Sequence, residues 1–341
     1  MDDIIVVKDL RKVYGKDVTA VDGISFSVRK GEIFGFLGPN GAGKSTTIKI
    51  LTTLVSKTSG QVTIDDIDLE KNPKAVRRII GYASQEVGVD DDLTARENLL
   101  LQCGFHHMPR DKARKKVEEL LDTVGLKDAG NRRSGTFSGG MRKRLDLASS
   151  LVSDPLVLFL DEPTTGLDPQ SRQSVWEYVR SLNRQGTTIF LTTQYMEEAD
   201  RLADRLCIID QGKIVAEGTP KDLKAKIGAD IISLKFKDDD LAMCRMGAEA
   251  VRNLPGVKEV GDCEVGIASG SGLMIMAQNG AAIIPQVVRA LDGAGVSIEQ
   301  LSLSAPSLDE VFLKLTGKKL KVIETKVSTR GRFGGRGRRG P

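Results

Sequence analysis

The chain has 341 residues, of which 28% are charged and 4% are aromatic, and its formal net charge is +4. This length indicates about two domains. The sequence has no run of about 18 apolar residues, the length that predicts a membrane span. Its acidic N-terminus is unlike a secretion signal. The four cysteines are scattered without a C-x-x-C pair, so we interpret them as reduced, buried thiols and not as metal ligands.

Residues 1 to about 225 alternate apolar, strand-like runs with helical patterns, which predicts an α/β nucleotide-binding domain. The run Glu32–Leu37 predicts a buried strand, and Ser45–Leu54 predicts a helix. The loop between them reads G-x-x-x-x-G-K-S, the pattern of a phosphate-binding loop. Its candidate binding residues are Gly38, Pro39, Asn40, Gly41, Ala42, Gly43, Lys44, Ser45 and Thr46.

The chemistry of a triphosphate explains the residue types in this loop. A helix N-terminus offers unpaired N–H groups and the positive end of a dipole to the phosphate charge. Glycines allow the backbone to curl so that successive N–H groups converge on the phosphates. We therefore expect Lys44 to reach the β- and γ-phosphates and the Ser45 hydroxyl to ligate Mg2+.

The segment from about 86 to 150 has few strand candidates, which predicts a helical subdomain. Thr94 and Glu97 form a capping box for one of its helices. After it, the apolar run Leu156–Leu160 predicts a strand that ends in Asp161 and Glu162. Because the ends of parallel strands meet beside a phosphate loop, we expect Asp161 to hold Mg2+ and Glu162 to polarise an attacking water.

Residues 226–317 show a second pattern, in which strand-like and helical stretches follow one another as βαββαβ. This order predicts a small ferredoxin-like α+β domain. A last short helix is expected after it, begun by the Ser307–Glu310 capping box and ended at Gly317. We predict that this domain has a packing role and not a catalytic one.

The basic residues concentrate at the C-terminus. Residues 318–341 contain nine Lys or Arg and one Glu, a balance of +8, which leaves −4 for the rest of a chain whose total is +4. This Arg/Gly-rich tail cannot bury a core, so we expect it to be disordered. Its charge favours an anionic membrane surface or RNA as a partner, while a solvated tail without a partner is the alternative.

Taken together, these motifs resemble the ATPase subunit of ATP-binding cassette (ABC) transporters. The Phe137–Met141 segment, with Ser138, Gly139 and Gly140, is similar to the family's signature motif, and it is followed by Asp161–Asp168. Gln85 matches the glutamine that links Mg2+ to the helical subdomain, and Tyr14 lies where the family places an aromatic ring against adenine. The C-terminal extension further resembles the daunorubicin-resistance type of drug exporter.

The resemblance implies ATP and Mg2+ as cofactors. It also implies that Asp168, in the loop after the acidic strand, is one of the nucleotide-binding residues. Ser138–Gly140 begins a helix and is thus a second N-terminal anion site. In the family this site faces the nucleotide of another copy, which implies a homodimer, or a pair with a related ATPase subunit, with ATP sandwiched at the interface. ATP binding then closes the dimer and hydrolysis reopens it.

Gln194 departs from the family pattern, because a histidine usually stands at this position. An amide donates an N–H to a phosphate but carries no proton near neutral pH, so a positioning role is expected. His106 and His107 lie in the helical region and cannot replace the histidine locally.

The sequence therefore predicts an ABC-type P-loop ATPase with a helical subdomain, which powers export of a drug-like, lipid-like or other small substrate. The resemblance implies a separately encoded integral-membrane permease as partner, and a cytoplasmic protein peripheral to the cell membrane. The main alternative is a non-transport ABC ATPase acting on nucleic acid or ribosomes, which the Arg/Gly tail favours and the single phosphate loop disfavours. A ligand-sensing regulatory module is a third reading, and it leaves Glu162 without a role.

Overall fold

The structure is a computed structural model, and it describes residues 2–15, 17–225, 230–236, 241–261, 272–304 and 307–317. The predicted basic tail, residues 318–341, lies outside the described residues, as does the stretch just after residue 225 where the sequence predicts a domain boundary.

The nucleotide-binding part contains ten strands and eight helices among the described residues, in an alternating α/β order. Its first half comprises β1 (Asp3–Tyr14), β2 (Val18–Arg29), β3 (Ile33–Leu37), α1 (Lys44–Leu51), β4 (Ser59–Ile64), β5 (Ile67–Asp68), α2 (Pro73–Ile79), β6 (Ile80–Ala83), α3 (Ala95–Phe105) and α4 (Arg110–Thr123). Its second half comprises α5 (Gly139–Ser149), β7 (Val157–Asp161), α6 (Pro169–Arg184), β8 (Thr188–Thr193), α7 (Met196–Leu202), β9 (Arg205–Asp210), β10 (Lys213–Gly218) and α8 (Pro220–Ala225).

The chain packs as two compact units that draw on separate segments. Within the described residues, the first unit holds residues 2–47, 56–66 and 193–317, and the second holds 48–55 and 67–192. In the first unit, β1 pairs antiparallel with both β2 and β4, while β3 runs parallel to β9, which pairs antiparallel with β10. Every residue of β3 is buried, as expected of a strand covered on both faces.

The second unit contains three parallel strands in the order β6-β7-β8, with β7 and β8 buried throughout. Between β6 and β7 the chain forms α3, α4 and α5 with two short 3-10 turns and no strand, which confirms the predicted helical region. The Thr94–Glu97 capping box is present at the start of α3, where the Glu97 N–H donates to the Thr94 hydroxyl at 3.2 Å.

The C-terminal segment folds as β11 (Asp230–Phe236), α9 (Leu241–Arg252), β12 (Val257–Val260), β13 (Gly272–Ala277), α10 (Gly280–Gly293) and β14 (Ile298–Ser304). The four strands form an antiparallel sheet in the order β12-β13-β11-β14, which is the ferredoxin-like order that the sequence predicts. The sheet and its two helices share a core that includes Ile232, Leu273 and Val287. The predicted strand from Val257 extends only to Val260 in the described residues.

The cysteines divide into two groups. Cys103 and Cys207 are buried free thiols, as the sequence predicts, and burial raises the pKa of each. Cys244 is disulfide-bonded, so the expectation of a reduced thiol is wrong at this residue. Cys263 lies outside the described residues.

The last helix, α11 (Leu308–Thr316), begins with the predicted Ser307–Glu310 capping box and ends at Gly317, whose φ is 68°. Its apolar face packs outside the core of the ferredoxin-like domain. The buried members of this second cluster include Leu308, Val311 and Phe312 of α11 with Met196, Ala199, Leu206 and Leu223 of the nucleotide-binding part, and Leu37 from the end of β3. The last helix in the described residues is thus part of the core behind the phosphate loop.

No described helix has the combination of length and apolar sequence required to cross a membrane.

We predict that Phe312→Ala lowers the free energy of unfolding by about 3 to 5 kcal/mol, because Phe312 is 2% exposed and its loss leaves a cavity. The measurement is thermal and denaturant unfolding of the full chain. Leu315→Ala is the matched control, since Leu315 lies on the exposed side of the same helix and surface substitutions change stability by at most about 0.5 kcal/mol. Equal stability of the two variants would contradict the packing described for α11.

Candidate nucleotide site

The phosphate loop connects the end of β3 to the start of α1, as its sequence predicts. Two glycines of this loop cannot be replaced by a larger residue without a steric clash. A Cβ on Gly38 would lie 2.3 Å from the Ile209 carbonyl oxygen, and a Cβ on Gly43 would lie 2.4 Å from that of Ala20. Gly43 also has a φ of 105°, which other residues rarely adopt. The neighbouring backbone therefore dictates both glycines.

Lys44 is the first residue of α1 and is 4% exposed. Its ammonium donates to the carbonyl oxygens of Gly38 at 2.8 Å and Pro39 at 3.1 Å. These bonds fold the side chain back over the loop, where the N–H groups of the helix start are also found. Ser45 and Thr46 are half-buried on the first turn, and Asn40 is exposed at the tip.

Three backbone hydrogen bonds fix the loop and its surroundings. The Gly38 N–H donates to the Thr193 carbonyl at 3.2 Å, and the Gly212 N–H donates to the Ala42 carbonyl at 3.0 Å. Gly212 in turn accepts from the Asp22 N–H at 2.9 Å. Sequence reasoning missed Gly212, although the Asp-Gln-Gly turn after the apolar strand β9 was a usable signal.

Gln194 follows β8 directly and precedes α7, and it is 7% exposed. The residue before it, Thr193, accepts a hydrogen bond from the Gly38 N–H through its carbonyl oxygen. Gln194 therefore lies beside the start of the phosphate loop. The structure thus brings these two predicted elements together.

Tyr14 ends β1 and is 39% exposed. The Lys12 ammonium lies 4.8 Å from the centre of its ring, and the cross-strand partner Val18 is also exposed. An exposed ring beside an aliphatic side chain offers a flat apolar surface, which suits stacking with a base.

Asp161 is the last residue of β7 and is 2% exposed. The hydroxyl of Thr192, on the neighbouring strand β8, donates to its carboxylate at 2.6 Å. The same hydroxyl accepts from the Glu162 N–H at 3.1 Å. Thr192 therefore fixes both predicted acids, and sequence reasoning missed it because a threonine at a strand end carries no motif of its own.

Glu162 has a φ of 47°, in the left-handed region that is costly for a residue with a Cβ. Its carboxylate accepts from the Thr165 hydroxyl at 3.1 Å, and it is 5% exposed. The backbone conformation and these hydrogen bonds hold the Glu162 carboxylate just beyond the end of β7. The sequence predicts a group that polarises water at this position.

Ser138 caps α5, since its hydroxyl accepts from the Met141 N–H at 3.2 Å. Ser138 and Gly139 are exposed, whereas Gly140 is buried against α6. A Cβ at Gly140 would lie 2.6 Å from the Ser171 hydroxyl oxygen. The signature segment is thus an exposed helix N-terminus whose second glycine allows the close approach of α6.

Asp168 caps α6, and its carboxylate accepts from the Ser171 N–H at 3.0 Å and the Ser171 hydroxyl at 2.6 Å. These bonds lower the pKa of Asp168. Its observed partners therefore belong to the α6 start, and its predicted contact with nucleotide stays a prediction.

Gln85 is exposed in the loop after β6. Gln85 carries an amide oxygen, Ser45 a hydroxyl and Asp161 a carboxylate, and each is a ligand type that Mg2+ prefers; their joint role in holding Mg2+ stays a prediction. No group of three or more His, Cys, Asp or Glu side chains that could hold a metal occurs in the described part of the chain. This donor set fits Mg2+, which proteins commonly hold by one or two carboxylates together with substrate phosphates.

The fold and the site define an α/β ATPase with a phosphate loop, an acidic strand end and a helical insert. Comparison with family models agrees, because residues 21–165 match the ABC transporter model. Residues 218–316 match the model of the C-terminal domain of DrrA1-3-like ATP-binding proteins.

Relatives match nearly the whole chain. The daunorubicin resistance ATP-binding protein DrrA3 of Streptomyces coeruleorubidus is 43% identical over 95% of this chain and 99% of its own length. The doxorubicin resistance protein DrrA of Mycobacterium tuberculosis (strain H37Rv) is 42% identical over 92% and 93%. The linearmycin resistance ATP-binding protein LnrL of Bacillus subtilis is 37% identical over 93% of this chain and all of its own length.

Solved structures match the nucleotide-binding part. A cbiO1 subunit from Clostridium perfringens, part of the ABC transporter complex cbiONQ, is 27% identical with a TM-score of 0.62, over 66% of this chain and 92% of that one. The cassette MJ0796, solved as a dimer in a post-hydrolysis state with ADP and phosphate, is 27% identical with a TM-score of 0.57, over 63% and 98%. The chain therefore belongs to the ATP-binding subunits of ABC transporters, in the DrrA-like group, and is the ATPase subunit of an ABC exporter.

Proposed function

We propose that this subunit binds ATP with Mg2+ and hydrolyses it to drive export through a separately encoded permease. The observation that supports this most directly is the pair of buried, hydrogen-bonded elements at its motifs: Lys44 over the phosphate loop, and Asp161 with Glu162 held by Thr192. Buried charges require such partners, and both elements carry the residue types of phosphoryl transfer.

Each residue then has a distinct role. The loop N–H groups and Lys44 bind the phosphates, and Tyr14 stacks on the adenine. Ser45, Asp161 and Gln85 hold Mg2+, which when bound neutralises charge on the phosphates. Glu162 orients and polarises the water that attacks the γ-phosphorus, and the products are ADP and phosphate. Gln194 donates an N–H to the γ-phosphate and positions it.

We further propose that the protein works as a homodimer, or in a pair with a related ATPase subunit. Ser138–Gly140 presents an exposed helix N-terminus, and such an end attracts an anion. The nucleotide bound by a partner chain is an anion of the right kind, and Asp168 then lies at the same interface. The dimeric cassette among the similar structures supports this arrangement.

The substrate class is inferred from the relatives. Their names concern resistance to daunorubicin, doxorubicin and linearmycin and, for the 45% identical protein of Burkholderia orbicola, Nod factor export. These compounds favour a drug-like or lipid-like small molecule as the exported substrate. The subunit would then lie in the cytoplasm on the inner face of the membrane.

Co-purification from membranes with a polytopic protein tests the permease partner, whereas co-purification with ribosomes would favour the non-transport alternative.

The basic tail is proposed to contact the anionic membrane surface, since each cation close to such a surface contributes about 1 kcal/mol at low salt. RNA is the competing partner, because Arg/Gly-rich chains bind it through similar electrostatics. Binding to anionic vesicles and to RNA, with and without residues 318–341 and across a salt series, distinguishes them. Equal binding by both proteins would leave the tail without a partner.

The roles of Lys44 and Glu162 are separated by two substitutions. Glu162→Gln is expected to keep ATP affinity and lose most turnover, because the amide no longer polarises water, so that an ATP-bound dimer accumulates. Lys44→Ala is expected to lose ATP binding itself. Nucleotide affinity, steady-state hydrolysis and size-exclusion chromatography with ATP measure these effects. Parental turnover by Glu162→Gln would remove Glu162 from the mechanism.

Gln194 gives a prediction with a pH dependence. Gln194→Ala removes a donor to a charged group, worth about 1.5–3 kcal/mol, so turnover is expected to fall roughly ten- to a hundredfold. Gln194→His retains a donor and adds a pH-dependent limb near the histidine pKa of about 6.5. Hydrolysis rates from about pH 5.5 to 8.5 for parent and variants test both expectations. An Ala variant as fast as the parent at every pH would make Gln194 a bystander.

A further inference from the structure

The loop that carries Gln85 is held at both ends by two charged residues of α5. The Lys143 ammonium donates to the Ser84 carbonyl at 2.7 Å, and the Gly88 N–H donates to an Asp146 carboxylate oxygen at 3.0 Å. Between these two points Gln85, like its two following neighbours, is exposed. We call Lys143 and Asp146 the loop clamp.

The loop clamp is buried and internally paired. Lys143 is 3% exposed and Asp146 is 7% exposed, and their charged groups lie 3.5 Å apart. They are three residues apart, so both project from the same face of α5. Burial raises the pKa of Asp146, whereas Lys143 and the Gly88 N–H oppose this shift. A buried ion pair is costly unless it makes further hydrogen bonds, and here those bonds go to the Gln85 loop.

The position of the loop clamp on α5 links it to the signature segment. Lys143 follows Ser138 by little more than one helical turn, so a rise of about 1.5 Å per residue places the two about 8 Å apart along the axis. Burial, together with the negative charges of Asp161 and Asp146, raises the pKa of Tyr82 of β6 to about 12. The loop clamp therefore lies on the helix that the signature segment begins.

We propose that Lys143 and Asp146 are positioning residues that join the Gln85 loop to α5, so that Gln85 and Ser138 move as one rigid body when the ATPase closes on nucleotide. This inference rests on the proposed roles of Gln85 and Ser138. Neither residue of the clamp touches nucleotide, and each acts through the backbone of the loop. The ammonium serves as donor and the carboxylate as acceptor, so the two side chains are not interchangeable.

The test uses the full chain with Lys143→Met, Asp146→Ala, the conservative Asp146→Asn, and the exchanged double variant Lys143→Asp/Asp146→Lys. Turnover is expected to fall about tenfold in Lys143→Met and Asp146→Ala, with ATP affinity changed less than about threefold, as for loss of one hydrogen bond to a charged group. Amide hydrogen exchange at Gly88 is expected to accelerate about tenfold in Asp146→Ala, because its acceptor is lost. Asp146→Asn keeps an acceptor and is expected to restore both properties.

The exchanged double variant separates the clamp from a simple ion pair. It keeps opposite charges at 143 and 146, but an aspartate cannot donate to the Ser84 carbonyl and a lysine cannot accept from the Gly88 N–H. We expect it to remain as slow as the single variants. Parental turnover in this variant, or parental exchange and turnover in Asp146→Ala, would overturn the proposal.

Arg144→Met is the matched control. Arg144 is the next cation on α5 and also donates to a backbone carbonyl, that of Val124 at 2.9 Å, but this bond leads away from the Gln85 loop. Its loss is expected to leave Gly88 exchange unchanged, and an equal acceleration would mean that α5 is generally destabilised and the clamp is not specific. A parent protein that hydrolyses no ATP would refute the proposed function, whereas the exchange data would still decide the clamp.

Discussion

The hydrogen bond from the Gly38 N–H to the Thr193 carbonyl is the contact on which the phosphate-loop part depends. A phosphate loop works only when its N–H groups converge, so its ends must be fixed by neighbouring backbone. Thr193 fixes the start of the loop, and Gly212 fixes Ala42 near its end. Since Gln194 follows Thr193, the residue proposed to position the γ-phosphate is held by the same strand end that holds the loop. Within this unit, α7 then connects this strand end to the buried face of α11.

Five of the charged residues described above are buried. Lys44, Asp161, Glu162, Lys143 and Asp146 are each less than a tenth exposed. Each makes hydrogen bonds to nearby backbone groups or hydroxyls, which offset the cost of removing a charge from water. The same bonds restrict the side chains to one arrangement. Charged groups preorganised in this way lose little energy to reorganisation when charge develops near them.

The C-terminal region combines two modes of packing. The ferredoxin-like sheet and its two helices have a core of their own, while α11 contributes to the core of the nucleotide-binding part. Through α11, the C-terminal region therefore contacts α7 and the end of β3.

The sequence by itself determined the family, the phosphate loop, the acidic strand end, the helical insert and the βαββαβ order, because each depends on local spacing: glycines before a helix, acids after an apolar strand, and alternation within a strand. It also identified both capping boxes, whose partners are only three residues apart. Tertiary structure alone decided the contacts of Thr192, Gly212, Lys143 and Asp146, since their partners lie on other strands and loops far along the chain. It also decided that α11 packs against buried residues of α7, β9 and α8, because an amphipathic helix reveals which face is buried but not which surface covers it.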